Sequence, residues 1–275
     1  MANAMVVFKA SRPSNNPNLP KLDITQQEID ILQMNPSAWI EAKSGVVSSG
    51  GNVSLVRDKT GRANWTPAAT LTPRIITAGG GAALRFGRAA QNSGALIAQA
   101  AYETFPANGI YSMFVLYRIP LPNTEGYGGT GGNMCGNHTS VPDWLRVRFG
   151  SDSFQTDAVW INHGGAEVSD PSNYPINTTI TGFRDNLWHI AAIEVTSAYH
   201  RWEKDGVLLQ QKDIPAKAFA TADSRRLVIG GAGNPLNQGF QGDIAAQLII
   251  PGPLAVDAKA TIYDRFNSLK AELVG

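Results

Sequence analysis

The stretch Phe240-Gln-Gly-Asp-Ile-Ala-Ala-Gln-Leu-Ile-Ile250 decides the fold. It carries one charge and is otherwise mostly apolar, so as a strand it is covered on both faces and belongs at the centre of a sheet. The residues before it read as further strands in series. Leu187-Trp-His-Ile-Ala-Ala-Ile-Glu-Val195 sets Trp188, Ile190 and Ala192 on one face against Leu187, His189, Ala191, Ile193 and Val195 on the other, which predicts cover on both sides. Lys204-Asp-Gly206 marks a two-residue hairpin, because Asp-Gly tolerates the positive φ angles that such a turn demands. Leu227-Val-Ile-Gly-Gly231 is a short strand closed by its glycines.

The same pattern continues upstream. Val53-Ser-Leu-Val56 lies between turns at Ser49-Gly-Gly51 and Asp58-Lys-Thr-Gly61. Residues 62–82 are small and polar, ending in Ala78-Gly-Gly-Gly-Ala82, and read as loop with one weak strand at Arg74-Ile-Ile-Thr77. Ala83-Leu-Arg-Phe86 is a strand, and Gly109-Ile-Tyr-Ser-Met-Phe-Val-Leu-Tyr-Arg118, rich in aromatic and branched residues, gives the strongest strand signal in the chain. Trp144-Leu-Arg-Val-Arg-Phe149 alternates strictly, with Leu145, Val147 and Phe149 inward, and Ala158-Val-Trp-Ile-Asn162 follows it.

Trp188-His189, Lys204-Asp205-Gly206, Leu227-Val-Ile-Gly230 and Phe240-Gln-Gly-Asp-Ile244, with a helix-like tail behind them, resemble the second half of a laminin-G-like or concanavalin A-like jelly roll. Trp39-Ile-Glu-Ala-Lys-Ser-Gly45, Asn52 to Gly61 and Ala83-Leu-Arg-Phe-Gly87 resemble the opening of that fold in phage and bacterial surface proteins. The resemblance implies an all-β, antiparallel two-sheet jelly-roll sandwich over residues 37–275, preceded by an extended N-terminal arm plus short helix over 1–36 and closed by a C-terminal helix. That fold hosts lectins, glucanases and structural modules alike, so it implies no function by itself.

Composition sets outer bounds. In 275 residues there are 28 Gly and 16 Pro, which suits one large β-domain. The 23 basic and 22 acidic residues leave a net charge of +1, so bulk electrostatics recruits no nucleic acid. Cys135 is the sole cysteine, which excludes an intrachain disulfide and fits folding in a reducing cytosol. The N-terminus lacks the basic and apolar regions of a signal peptide, and no run of about 18 apolar residues is long enough to span a bilayer.

Ser11-Arg-Pro-Ser-Asn-Asn-Pro-Asn-Leu-Pro20 cannot bury enough to fold alone and reads as an arm. Thr25-Gln-Gln-Glu28 matches a capping box, flanked by Ile24 and Ile29 in the positions of a hydrophobic staple, and predicts a helix from about Gln26 to Met34, stopped by Asn35-Pro36. The arm is either a ragged terminus with one packing helix or a docking device, with Val6, Val7, Phe8, Ile24, Ile29 and Leu32 as its apolar contacts. At the other end Asp257 is placed to cap a helix whose stripe is Ile262, Phe266, Leu269 and Leu273, with Tyr263, Arg265 and Lys270 toward solvent.

Residues 121–143 are the least strand-like. Glu125-Gly-Tyr-Gly-Gly-Thr-Gly-Gly-Asn-Met-Cys-Gly-Asn-His138 reads either as a mobile connection or as a loop able to approach a ligand closely, with Tyr127, Asn133, Asn137 and His138 of types that suit a sugar. Trp65, Trp144 and Trp160 are candidate stacking surfaces. Catalysis is not expected. A retaining glucanase needs two carboxylates about 5 Å apart, and the strand signature Glu-x-Asp-x-x-Glu that the resemblance would imply is absent. Glu194, Glu203 and Asp205 read as solvated or turn residues, and His189 as a strand residue with a satisfied ring. The histidines at 138, 163, 189 and 200 lack metal-ligand spacing, so no metal site is expected; calcium, common in laminin-G-like domains, would draw on Asp152, Asp157, Asp170 or Asp243.

Two functional expectations follow. One is a non-enzymatic structural component of a phage virion, a capsid decoration or a tail- or fibre-associated protein made in the host cytoplasm, joined to other virion proteins through its arm and self-associating as a homo-oligomer, a trimer being favoured. The other is a carbohydrate-binding, host-recognition module that engages a cell-surface glycan.

Overall fold

The computed structural model describes residues 24–68, 72–87, 94–99, 102–121, 132–137, 145–149, 158–163, 176–179, 185–219, 221–231 and 239–275, with only the backbone described for 132–133, 145–146, 148–149, 158–163 and 176–179. These residues form two helices and 17 strands, every pairing antiparallel.

The strands stack in two layers. In the first, β17 (Gly242–Pro251) pairs along one side with β8 (Tyr111–Arg118) and along the other with β1 (Ala38–Glu41) and β6 (Gly81–Phe86). The sheet continues from β8 to β13 (Trp188–Val195), β14 (His200–Lys204) and β15 (Val207–Lys212), and from β6 to β5 (Arg74–Ala78). The second layer runs β2 (Val46–Ser49), β3 (Asn52–Arg57), β4 (Asn64–Pro67), β7 (Leu96–Ala98), β16 (Leu227–Ile229), β9 (Gly132–Asn137), β10 (Leu145–Phe149), β11 (Ala158–His163), β12 (Ile176–Thr179). One pairing, Asn52 with Arg74, joins the layers at an edge.

The two-faced reading of the central strands holds. Met113, Val115, Tyr117, Ala191, Ile193 and Val195 point into the core between the layers, where they meet Trp65, Leu96, Cys135 and Leu227 of the second sheet. Phe114, Leu116, Trp188, Ile190 and Ala192 point outward into a second core shared with the helices. In β17 the pairing slips between Ile244 and Ala246, and this bulge at Ala245 is why strict alternation is hard to read there. The Asp-Gly turn is as expected, with Asp205 at φ 50° and Gly206 at φ 81°.

Two helices form a third layer over the outer face. Helix α1 (Gln26–Gln33) starts with the expected capping box: Thr25 accepts from the Glu28 amide, and the Glu28 carboxylate accepts from the Thr25 amide. Helix α2 (Val256–Val274) buries Ile262, Phe266, Leu269 and Leu273, the expected stripe. Its N-cap is Ala255 without a side-chain cap, so Asp257 lies in the first turn, where its charge suits the helix dipole, rather than at the cap. The C-terminus of α2 rests on the turn between β5 and β6: the Gly80 amide donates to the Glu272 carbonyl, and a Cβ on Gly79, at φ 54°, would stand 2.5 Å from that oxygen.

Several expectations need correction. Strands β4 and β9 lie in stretches read as loop, because Asn64-Trp-Thr-Pro67 offers one large apolar residue and four of the six residues of Gly132–Asn137 are glycine or asparagine. Within residues 24–36 the packing helix is seen: Ile31 is fully buried and Leu32 packs against the outer core, so Leu32 serves the body of its own chain. Ile24 and Ile29 are half-buried. Val6, Val7 and Phe8 lie outside the described residues. No helix among the described residues is long and apolar enough to cross a membrane.

Candidate functional site

The loop residues Tyr127, His138 and Trp144 lie outside the described residues; Asn133 and Trp160 are placed by backbone alone, in β9 and β11. Asn137 is interior, fully buried with its amide donating to the Ser224 carbonyl at 2.8 Å, so it does not face a ligand. Trp65 is likewise fully buried in the inner core and is no stacking surface. Asp243 is also fully buried, gripped by Arg85 at 2.9 Å and Arg118 at 2.5 Å, which leaves its oxygens facing guanidinium groups rather than a cation. Asp152, Asp157 and Asp170 lie outside the described residues, among which no cluster of three or more metal-ligating side chains occurs.

The polar chemistry that the structure does describe is concentrated on the outer face of the first sheet. At its β1 side, Arg265 of α2 reaches Glu41 at 2.6 Å and Glu28 of α1 at 3.1 Å, and Lys59 bonds the same two carboxylates while lying 4.5 Å over the Trp39 ring. Arg265 is thus not on the solvent side. Burial works against the Glu28 carboxylate, yet the bonds from Lys59 and the Thr25 amide outweigh it and hold the group down at about 2. Next to it Asp58 accepts from the Trp39 and Thr60 amides, but burial dominates and pushes its carboxyl up to about 6.

At the tip of the β14–β15 hairpin, the His189 ring lies between two carboxylates, Nδ1 2.6 Å from Asp205 and Nε2 3.0 Å from Asp185. The ring is satisfied, as expected. Lys270 reaches the same Asp205 at 2.9 Å, tying α2 to the hairpin.

The third cluster surrounds a recess. Alternation along β14 puts Arg201 and Glu203 on the outer face, and the register places Arg201 opposite Glu194 and Glu203 opposite Ala192. With Ser112 and Phe114 of β8 as floor and Leu254 and Lys259 as the overhanging wall, Glu194, Arg201 and Glu203 line a small hollow with room for about one water. Glu194 and Glu203 are 12% and 8% exposed, so they are recess residues, not the solvated groups their sequence context indicates. Their neighbours differ. Glu203 is engaged by Lys259 and by the Tyr263 hydroxyl at 3.0 Å. Glu194 accepts from the Tyr199 hydroxyl at 3.1 Å. Arg201 stands between them at 4.0 Å from Glu194 and 3.9 Å from Glu203, beyond hydrogen-bond reach of either, and its buried Nε has no hydrogen-bond partner. The Tyr199 ring lies 5.8 Å from that guanidinium. Nothing in the sequence pairs these residues, because the helix that overhangs them begins about 50 residues later.

No family model matches the chain, and no curated protein matches it in sequence. Solved structures do match in shape. Domain 4 of a GH43 extracellular arabinanase from Geobacillus stearothermophilus, solved with arabinotriose, is 15% identical at a TM-score of 0.55, covering 83% of this chain and 97% of that domain. The binding domain of botulinum neurotoxin DC, solved with rat synaptotagmin II, is 14% identical at 0.56, covering 85% and 52%. A botulinum neurotoxin type C structure, from work on cell entry through two ganglioside molecules, is 13% identical at 0.54, covering 87% and 53%. The chain therefore spans about half the length of the two toxin structures. At these identities the likeness is one of fold, and the fold is that of an all-β sandwich shared with solved binding domains.

Proposed function

We propose that this chain is a non-catalytic module that binds carbohydrate. The observation that carries the reading is the all-β sandwich itself, which matches solved binding domains over 83–87% of this chain. Two neighbours of the same fold support it, one solved with arabinotriose and one linked to gangliosides. Hydrolysis is a poor fit: a retaining pair needs one carboxyl free to protonate the leaving oxygen, whereas Glu203 is engaged by Lys259 and Tyr263 and Glu194 by Tyr199. A glycan array with the whole chain tests this. Selective binding without release of reducing sugar is the expected result; silence across the array, or sugar release, overturns it.

Attachment to a particle through residues 1–23, with Val6, Val7 and Phe8 as contacts, is a second reading. It is favoured by the anchoring of α1, which gives the preceding residues a fixed root on the sandwich. Because residues 24–36 belong to the folded body, the informative deletion is 1–23. A stable truncated chain that sediments as a monomer, against an oligomeric full chain, is expected; identical sedimentation of the two refutes it.

A further inference from the structure

We propose that His189 is a proton-operated latch: as the doubly protonated imidazolium it clamps the turn before β13 to the tip of the β14–β15 hairpin, and loss of one proton releases that turn.

A neutral imidazole carries one N–H, so its other nitrogen can only accept. In this chain the ring has a carboxylate on each side, Asp205 2.6 Å from Nδ1 and both oxygens of Asp185 3.0 Å from Nε2. An ionised carboxylate has nothing to donate, so a neutral ring would set one lone pair against another. Both contacts are hydrogen bonds only when the ring bears two protons and a positive charge. The His189 side chain is 9% exposed, which gives water little access to relieve a mismatch.

The two carboxylates are fixed unequally. Asp205 also accepts from Lys270 of α2 at 2.9 Å and from the Ile190 amide at 3.0 Å. Burial works against its charge, yet the bonds from His189, Lys270 and the Ile190 amide hold its carboxyl well below the usual range. Asp185 is bonded otherwise by the Leu187 amide of its own turn, at 2.9 Å. A ring left with one proton therefore keeps it on Nδ1, against the closer and better anchored Asp205. Nε2 then turns a lone pair toward Asp185, and the tie becomes a repulsion. Apolar packing does not replace it, because the Leu187 side chain is exposed and Asn186 stands at φ 62°.

The remaining groups around the ring leave this balance alone. Tyr117 of β8 lies 6.0 Å away, ring to ring, and burial, followed by the charges of Asp205 and Asp185, pushes its phenol far up, so it stays neutral. Arg118, next along β8, lies over Trp188 and bonds Asp243. Tyr263 of α2 donates to Glu203. Histidine is the side chain whose charge changes nearest neutral pH, so the hold on this turn responds to pH in that range.

The test follows the full chain, with isotope-labelled histidine, by NMR from about pH 6 to about pH 9. Both ring nitrogens of His189 should read as protonated at about pH 7, and at higher pH Nε2 should lose its proton while Nδ1 keeps its own. In the same step the Leu187 amide signal should shift and its protection from exchange should fall about tenfold, for one lost charge-assisted bond. A ring with one proton at about pH 7, or a Leu187 amide that ignores the ring, overturns the latch. His189→Gln should abolish the Leu187 step, and a step that persists there belongs to another group and also overturns it. Should that variant not fold, Asp185→Asn decides: with one counter-charge gone the ring should lose its second proton at lower pH, and an unmoved midpoint refutes the proposal.

Discussion

The clusters around Arg265 and Arg201 share one sheet face and one set of residue types, yet they are wired differently. Arg265 sits within 3.1 Å of two carboxylates, which Lys59 bonds as well, so that α1, α2 and β1 are joined by charge-assisted bonds. Arg201 also lies between two carboxylates, but at 4.0 and 3.9 Å, beyond hydrogen-bond reach of either. Matched distances make a structural joint. Mismatched ones, with a donor left over, tie little together.

The comparison is broken or sharpened by substitution. Arg265→Met should cost roughly 3 kcal/mol, because Glu41 is 1% exposed and would keep its charge with one partner fewer; Arg201→Met should stay within about 0.5 kcal/mol. Urea midpoints measure both, and equal losses would erase the distinction. A double-mutant cycle is next in size: Arg265 with Glu41 should couple by about 1–3 kcal/mol and Arg201 with Glu194 by under about 0.5 kcal/mol. Thr25→Ala removes the cap of α1 and should cost about 1 kcal/mol, with the helix signal near Ile31 lost before the sheet on heating.

The pH profile is a further test. Glu28, held at about 2, contributes stability that is present above its unfolded value of 4.5 and lost as pH falls below it. Asp58, pushed up to about 6, contributes stability that is present below 3.8 and lost as pH rises through 6. Between pH 4.5 and 6 only the second trend acts among this pair, so stability measured by denaturant should slope downward there, and Asp58→Asn should flatten it.

The sandwich was legible because its central strands and its last helix declare their faces locally. The outer and inner residues of Leu187–Val195 and the stripe of α2 are set by periods of 2 and 3.6 that a sequence displays. The capping box and the Asp-Gly turn depend on neighbours three residues apart or fewer. Strands β4 and β9 were hidden because pairing, not composition, makes them strands: Trp65 is held opposite Val56 and Ala98, and Cys135 opposite Ile229. The recess was hidden for a related reason. Glu194 and Glu203 lie on adjacent strands, and what covers them is the start of a helix remote in sequence. Arg265, taken for a surface residue, meets partners 224 and 237 positions away.

The joint at Arg265 also decides how a pull on the chain is borne. Tension entering at Thr25 passes through α1 into Glu28, and from there sideways into Lys59 and α2, while the following residues run straight into β1, zipped lengthwise to β17 from Ala38 to Glu41. The load is thus shared in shear by ionic rivets and a strand pairing rather than peeled off one bond at a time. A body so anchored would resist unfolding from that end.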